Sequence, residues 1–389
     1  MRDYGRMLDT NSNLSALTMA SSIATLLALF LLSLGWLLYP LGLALMPRRR
    51  RVRADPAEAN EQTVTVVIAT REAPDAVVSR VESLYTTDWP HDRLHVVIGV
   101  DPNAGTSLER YRESLRHRPG ITVVLGDSPG GKAATLNAAV REVNTALFIF
   151  ADSAQQFDPA AIGKLVAALQ SPDVGGVTGE IRTDAEQGVF GLFWRFELML
   201  RQLESRLGLV VNVTGAIHAI RRSCWQPLPA GLICDDLLIP LQIGRQGWRT
   251  EVASGARARD PRQMSREVQL RRKIRTLTGV LQICRWQPWV LVPWRNRLWA
   301  AFVCHKLLRI ATPLLVVIFL AGAALSLPAW WLYAGAAATV IVGGLGVLGL
   351  LVMRRPLLPV IRECGWFIRM LSAPVVATGR ALKGDWKTW

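Results

Sequence analysis

Two stretches of the chain carry no charged residue, Thr10 to Pro47 and Ile310 to Met353, and each exceeds the roughly 20 apolar residues with which a helix crosses a bilayer. A chain of this kind is expected to hold a soluble body between membrane anchors. The first stretch is too long for a signal-peptide core, and the basic run Arg48 to Arg51 plus Arg53 follows it where a small-residue cleavage site belongs. Residues 1–47 therefore read as a transmembrane anchor and 48–61 as a basic linker. Cationic flanks resist translocation, so the arginines assign everything after residue 47 to the cytoplasmic side.

The second stretch holds 44 residues, 310 through 353, enough for two spans, with a break at Leu327-Pro328 and with Arg354-Arg355 closing it on the inside. Residues 307–353 are expected as a two-helix transmembrane hairpin, which makes the chain multi-pass. Ahead of the hairpin, residues 285–306 place four tryptophans among arginines, the mixture of an interfacial amphipathic segment. Behind it, Arg362, Glu363 and Arg369 interrupt the hydrophobicity of 354–389, which reads as an interfacial or re-entrant helix.

Composition excludes several classes. Half of the 389 residues are apolar and the mean hydropathy is +0.24, which rules out a disordered tail protein. The formal charge is +15, but its densest run abuts an apolar segment and reads as a topology signal, so no nucleic-acid partner is expected. Cys224, Cys234, Cys284, Cys304 and Cys364 form no C-x-x-C pair, the five histidines show no metal-ligand spacing, and no G-x-S-x-G occurs.

Residues 62–284 alternate short β-branched runs with helical patterns. Val64 to Ala69, Val96 to Val100, Thr122 to Leu125, Leu147 to Phe150 and Gly175 to Ile181 read as strands; Ala76 to Tyr85, Lys132 to Val143 and Pro159 to Leu169 read as helices. This βαβ rhythm predicts an α/β fold with a mostly parallel, Rossmann-like sheet, whose ligands bind at the carboxyl ends of the strands.

Candidate chemistry gathers at those ends. Gly126 to Lys132 matches G-x-x-x-x-G-K, but Ala133 replaces the hydroxyl that a P-loop gives to magnesium; what remains is a glycine turn, a helix start and a lysine, a phosphate-friendly arrangement or a plain strand-to-helix turn. Asp101 and Asp152 each follow an apolar strand directly, as a ligand-binding or a turn aspartate would. Asp235 and Asp236 open a helix, where the dipole favours acids and where a general base is equally well placed.

In order and spacing, Val66-Val-Ile-Ala-Thr70, Asp101, Gly131-Lys132-Ala133-Ala-Thr-Leu136-Asn137, Asp152, Thr214-Gly215-Ala216, Asp235-Asp236 and Gln246-Gly-Trp248 resemble the membrane-bound family-2 glycosyltransferases of GT-A fold, among them cellulose, hyaluronan and poly-N-acetylglucosamine synthases and ceramide glucosyltransferase. The resemblance covers residues 60 to 310 and extends to the flanking helices. It implies that Thr70 and Asp101 hold the uridine of a UDP-sugar, that Lys132 and Asn137 line the donor site, and that Asp152 meets the diphosphate through Mg2+ or Mn2+. The second acid of the family's Asp-x-Asp element is missing, because Asp152-Ser153 is followed by Ala154, which leaves Asp152 or the nearby Gln155 and Gln156 to hold the ion in part. Asp236 would be the base, and Thr214, Gly215, Ala216 and Trp248 would face the acceptor, with Trp248 either stacking a sugar or filling the core.

The family's Q-x-x-R-W element fits two registers. The literal one is Gln282-Ile-Cys-Arg285-Trp286, whereas Arg272-Lys-Ile-Arg275-Thr276 keeps the offsets to a following Gly279 and Gln282; the second register is taken, with Arg275 meeting the diphosphate. The resemblance thus implies an inverting enzyme of a cell inner membrane, adding sugar to a lipid-linked or polysaccharide acceptor. A polymer product would require an oligomer or a partner pore, since few spans are available. Single addition to a lipid is the alternative output, and the lost acid leaves open a nucleotide-binding scaffold without activity.

Overall fold

The computed structural model describes residues 2–47, 61–182, 188–262, 265–326 and 359–386. It divides into two compact units, Met1–Ala44 with Val303–Gly379, and Leu45–Phe302 with Arg380–Trp389.

The larger unit is built on an eight-stranded mixed sheet in the order β3-β2-β1-β4-β7-β6-β8-β5. Its strands are β1 (Val64–Thr70), β2 (Leu94–Val100), β3 (Ile121–Leu125), β4 (Leu147–Ala151), β5 (Gln156–Phe157), β6 (Val174–Arg182), β7 (Ile217–Arg221) and β8 (Arg249–Arg259). β1, β2 and β4 are buried along nearly their whole length, which explains their unbroken apolar character. β1 pairs in parallel with β2 and β4, and β2 with β3; β7 runs antiparallel to β4 and β6, and β8 returns parallel to β6.

These directions put the ends of β1, β2, β4, β6 and β8 and the start of β7 on one edge. The strand order reverses at β1, between its neighbours β2 and β4, and this is where the crevice of a doubly wound sheet opens. The expected strands and helices are present within two residues or so of the stated bounds. β5, β7 and β8 are additions that sequence patterning did not reveal, since Ile217–Arg221 is short and Arg249–Arg259 carries charges along an apolar strand.

In the smaller unit, Arg2–Ser33 continues through a π-helical turn, Leu34–Leu38, into Tyr39–Leu45. Thr18–Leu45 and Trp299–Leu325 are long and apolar enough to cross a membrane. They meet through small residues: a Cβ on Gly322 would stand 2.3 Å from Thr25 Oγ1, and a Cβ on Gly35 would touch Leu308 at 3.0 Å. Trp36 Nε1 donates to Thr312 Oγ1 at 2.9 Å.

The expected second helix of the hairpin lies outside the described residues. The 285–306 segment divides: Trp294 is exposed, Trp289 is buried, and Trp299 opens the apolar helix. The tail forms a helix over Pro359–Lys383, and after it Trp386 packs edge-on against Trp286 within the larger unit.

Candidate active site

β1 ends at Thr70 and β2 hands over to Asp101, whose backbone N–H donates to Thr70 O at 3.0 Å. The Asp101 side chain is fully buried and saturated: Oδ1 accepts from Asn103 N at 2.8 Å and Arg71 Nη2 at 3.2 Å, and Oδ2 accepts from Gly131 N at 2.5 Å and Thr135 Oγ1 at 3.3 Å. Burial works against its charge, but the Asn103 and Gly131 N–H groups and the Arg71 guanidinium outweigh it and hold the carboxyl below the usual range. Gly130 sits at φ +92°, and a Cβ there would lie 2.4 Å from Asn103 Nδ2, so only glycine closes this turn. Asp101 is thus a fastener behind the wall, and Arg71 stands on the wall in front of it.

The fastened turn starts the helix Lys132–Arg141 and aims Lys132 into a cavity of about 680 Å³. Lys132 Nζ lies 3.2 Å from Asp152 Oδ1 and 3.2 Å from Asp235 Oδ2. Burial disfavours the ammonium, yet Asp152, Asp235 and Asp236 together raise its pKa; in return Lys132 overcomes the burial of Asp152 and lowers that carboxyl. Asp235 and Asp236 occupy the first turn of the helix Asp235–Arg245 and both line the cavity, with Asp235 committed to Lys132. Gly215 leaves the space between them open: a Cβ there would meet Lys132 Nζ at 3.6 Å and Asp236 Cβ at 3.7 Å. Behind this cluster His218 is fully buried, stacked on Phe150 at 4.7 Å, and burial pushes its pKa down to about 4, so it is neutral.

The opposite wall comes from the helix Arg266–Trp286, capped by Ser265, whose hydroxyl accepts from Val268 N. Gln269, Arg272, Arg275 and Thr276 share the helix face that lines the cavity. The literal register points elsewhere: Arg285 is exposed, and Gln282 is fully buried, donating to Gly231 O at 3.0 Å and accepting from Ile233 N at 2.9 Å. Gly279 brings the same helix against the Asp235 approach, since a Cβ there would sit 2.3 Å from Cys234 Sγ. The glycine and glutamine offsets that selected the Arg275 register are therefore packing positions that seat the aspartate pair.

Of the expected residues, Thr70, Lys132, Asp152, Gly215, Ala216, Asp236 and Arg275 share this one cavity. Four others do not reach it: Asp101, expected to hold the donor, is spent behind the wall on Asn103, Arg71, Gly131 and Thr135, and three more lie elsewhere. Asn137 closes a reciprocal pair with the backbone of Leu228, at 2.8 and 2.9 Å, because the outer face of its helix packs on that loop. Thr214 spends its hydroxyl on Gly179 O at 2.9 Å while accepting from Arg201 at 2.9 Å. Trp248 follows the far end of the 11-residue helix that begins at Asp235, about 15 Å away at about 1.5 Å per residue, and packs beside Arg221. Trp248 is a packing residue at the opposite edge of the sheet.

Sequence reasoning missed Arg71, Asp260 and Arg262 and gave Arg272 no role of its own; all four are on the cavity wall, as is Gln155. Asp260 follows β8 directly, so the strand-end rule that found Asp152 would have found it once β8 was recognised. Among the described residues no group of three His, Cys, Asp or Glu side chains is placed to hold a metal ion. Asp152, partly exposed to the cavity, is one available carboxylate, and a magnesium-type ion accepts one or two protein carboxylates when phosphates and waters complete its shell.

No curated protein matches the chain. Among solved structures, the mannosyltransferase PcManGT from Pyrobaculum calidifontis, in complex with GDP-Man and Mn2+, is 21% identical and covers 96% of this chain and 99% of its own, with a TM-score of 0.65. A more distant one is S. aureus TarS 1-349, at 12% identity, 83% and 92% coverage and a TM-score of 0.44. The first confirms the mostly parallel, Rossmann-like GT-A architecture. The model of the family described as Glycosyltransferase like family 2 matches residues 61–279, more than half of the sequence and nearly all of the sheet and its cavity, and the chain belongs to that family.

Proposed function

We propose that this chain is a membrane-anchored, inverting glycosyltransferase that moves a sugar from a nucleoside-diphosphate donor, UDP-linked in our reading, to a lipid-linked or polysaccharide acceptor at the cytoplasmic face of an inner membrane. The observation that carries the proposal is the convergence of Lys132, Asp152, Asp236 and Arg275 on one cavity where the strand order reverses. The two apolar helices support the membrane setting.

In this mechanism Asp236 accepts the proton of an acceptor hydroxyl as that oxygen attacks the anomeric carbon, and the bond from that carbon to the diphosphate oxygen breaks on the opposite face. Inversion follows from the single displacement. Arg275 and Lys132, the latter held by Asp152 and Asp235, receive the charge that develops on the leaving diphosphate. Asp152 would hold a divalent cation, such as the Mn2+ of the Pyrobaculum neighbour, and that ion would neutralise phosphate charge. Lys132 lies between Asp152 and Asp235 and lowers the pKa of Asp152, and Asp236 is the base in this reading.

The test is turnover by detergent-purified protein with labelled UDP-sugars and with GDP-mannose, comparing Asp236→Asn. The variant is expected to lose about 10²- to 10⁴-fold in kcat with little change in nucleotide affinity. Undiminished turnover would remove Asp236 from the mechanism, and nucleotide binding without any turnover in the parent protein would favour the scaffold reading raised by Ala154.

A further inference from the structure

The turn after β4 runs Asp152-Ser153-Ala154-Gln155 and lacks a second acid, yet it is tied to another charged group. Gln155 is buried, and its Nε2 donates to Asp260 Oδ2 at 2.8 Å. Asp260, also buried, holds Arg262 in a side-on fork: Nε to Oδ1 at 2.9 Å and Nη2 to Oδ2 at 2.9 Å, with the Arg262 backbone N–H on Oδ1 at 3.1 Å. Burial opposes the Asp260 charge, but the Arg262 hydrogen bonds outweigh it and bring the carboxyl down to about 2.

The fork occupies two of the five N–H groups of the guanidinium, which leaves three for a ligand. Arg262 lies on the cavity wall, partly exposed, within electrostatic reach of Asp152 and Glu72. A guanidinium held this way has already given up its rotamer freedom, and its planar donors match a phosphate oxygen pair. An ordinary surface ion pair needs neither a buried acid beneath it nor a buried amide beneath that acid.

We infer that Arg262 is a donor-phosphate ligand, held by Asp260 and Gln155 in the turn where the second metal-binding acid is absent, so that the chain's own cations bind a nucleoside diphosphate even when divalent metal is removed. The inference rests on the glycosyltransferase reading and adds to it the residue and the metal response.

Calorimetric titration of the full-length protein with UDP and with GDP, each in excess EDTA and in Mn2+, tests it. At least one nucleotide is expected to bind in EDTA within about tenfold of its affinity in Mn2+. Arg262→Gln is expected to weaken the EDTA binding by about 10- to 100-fold, the worth of a charge-assisted hydrogen bond or two, measured well below a melting temperature that falls because buried Asp260 loses its partner. Arg262→Lys, which keeps the charge and loses the fork, should recover part of the loss. Binding seen only with Mn2+, or an Arg262→Gln variant that melts earlier with its EDTA affinity intact, would overturn the inference while leaving the glycosyltransferase reading standing. Failure of both nucleotides under both conditions would overturn the two together.

Discussion

His218 shows at the scale of one residue how the site is tuned from behind. Its Nδ1 lies 3.1 Å from Thr214 O, and its Nε2 meets no hydrogen-bond partner among the described residues. Burial depresses its pKa from 6.5 to about 4, so between those values the unfolded chain binds a proton that the folded chain refuses. Stability is then lost as the pH falls through this window, by about 3 kcal/mol at its lower end. The expected outcome is a melting temperature that drops between neutral pH and pH about 4, with a visibly flatter profile for His218→Gln. Matching profiles would show that His218 takes up its proton in the folded state.

At the scale of elements, the helix Arg266–Trp286 joins the cation wall to the Asp235-Asp236 turn. Its Gly279 presses on Cys234 and its Gln282 holds the backbone of Gly231 and Ile233, four and two positions ahead of Asp235. Gly279→Ala should push Cys234 and the Asp235–Arg245 helix aside, costing about 1–3 kcal/mol of stability and at least about tenfold in turnover. The same substitution in a Cys234→Ala background should cost markedly less, because the clashing sulfur is gone. Equal costs in both backgrounds would locate the damage elsewhere.

This helix also shows what was legible in the sequence. The offsets of the family resemblance led to Arg275, which lines the cavity, because packing requires Gly279 and Gln282 at fixed distances from it. The strand-end rule gave Asp101 and Asp152, since an apolar run must stop where the sheet meets solvent and ligand, and of the two Asp152 lines the cavity while Asp101 is buried behind it. Asn137, Thr214 and Trp248 lie outside the cavity because a motif records residue types, whereas which side of a helix or strand faces the cavity depends on partners such as Leu228, Gly179 and Arg221. Arg262 was invisible because its role comes from Gln155, 105 positions from the Asp260 that links them.

At the scale of the whole molecule, a basic, half-apolar chain carries its chemistry in one unit and two apolar helices in the other. The expressed protein should remain in the membrane pellet after alkaline carbonate extraction, as a spanning protein does; release into the supernatant would reduce the apolar helices to peripheral contacts. The central claim is that strand ends far apart in the chain form one diphosphate-binding cavity, and hydrogen exchange with and without saturating UDP or GDP tests it most directly. The account predicts simultaneous protection of peptides containing Thr70, Lys132, Asp152, Arg262 and Arg275. Protection confined to one of these segments, or found only outside them, would contradict it.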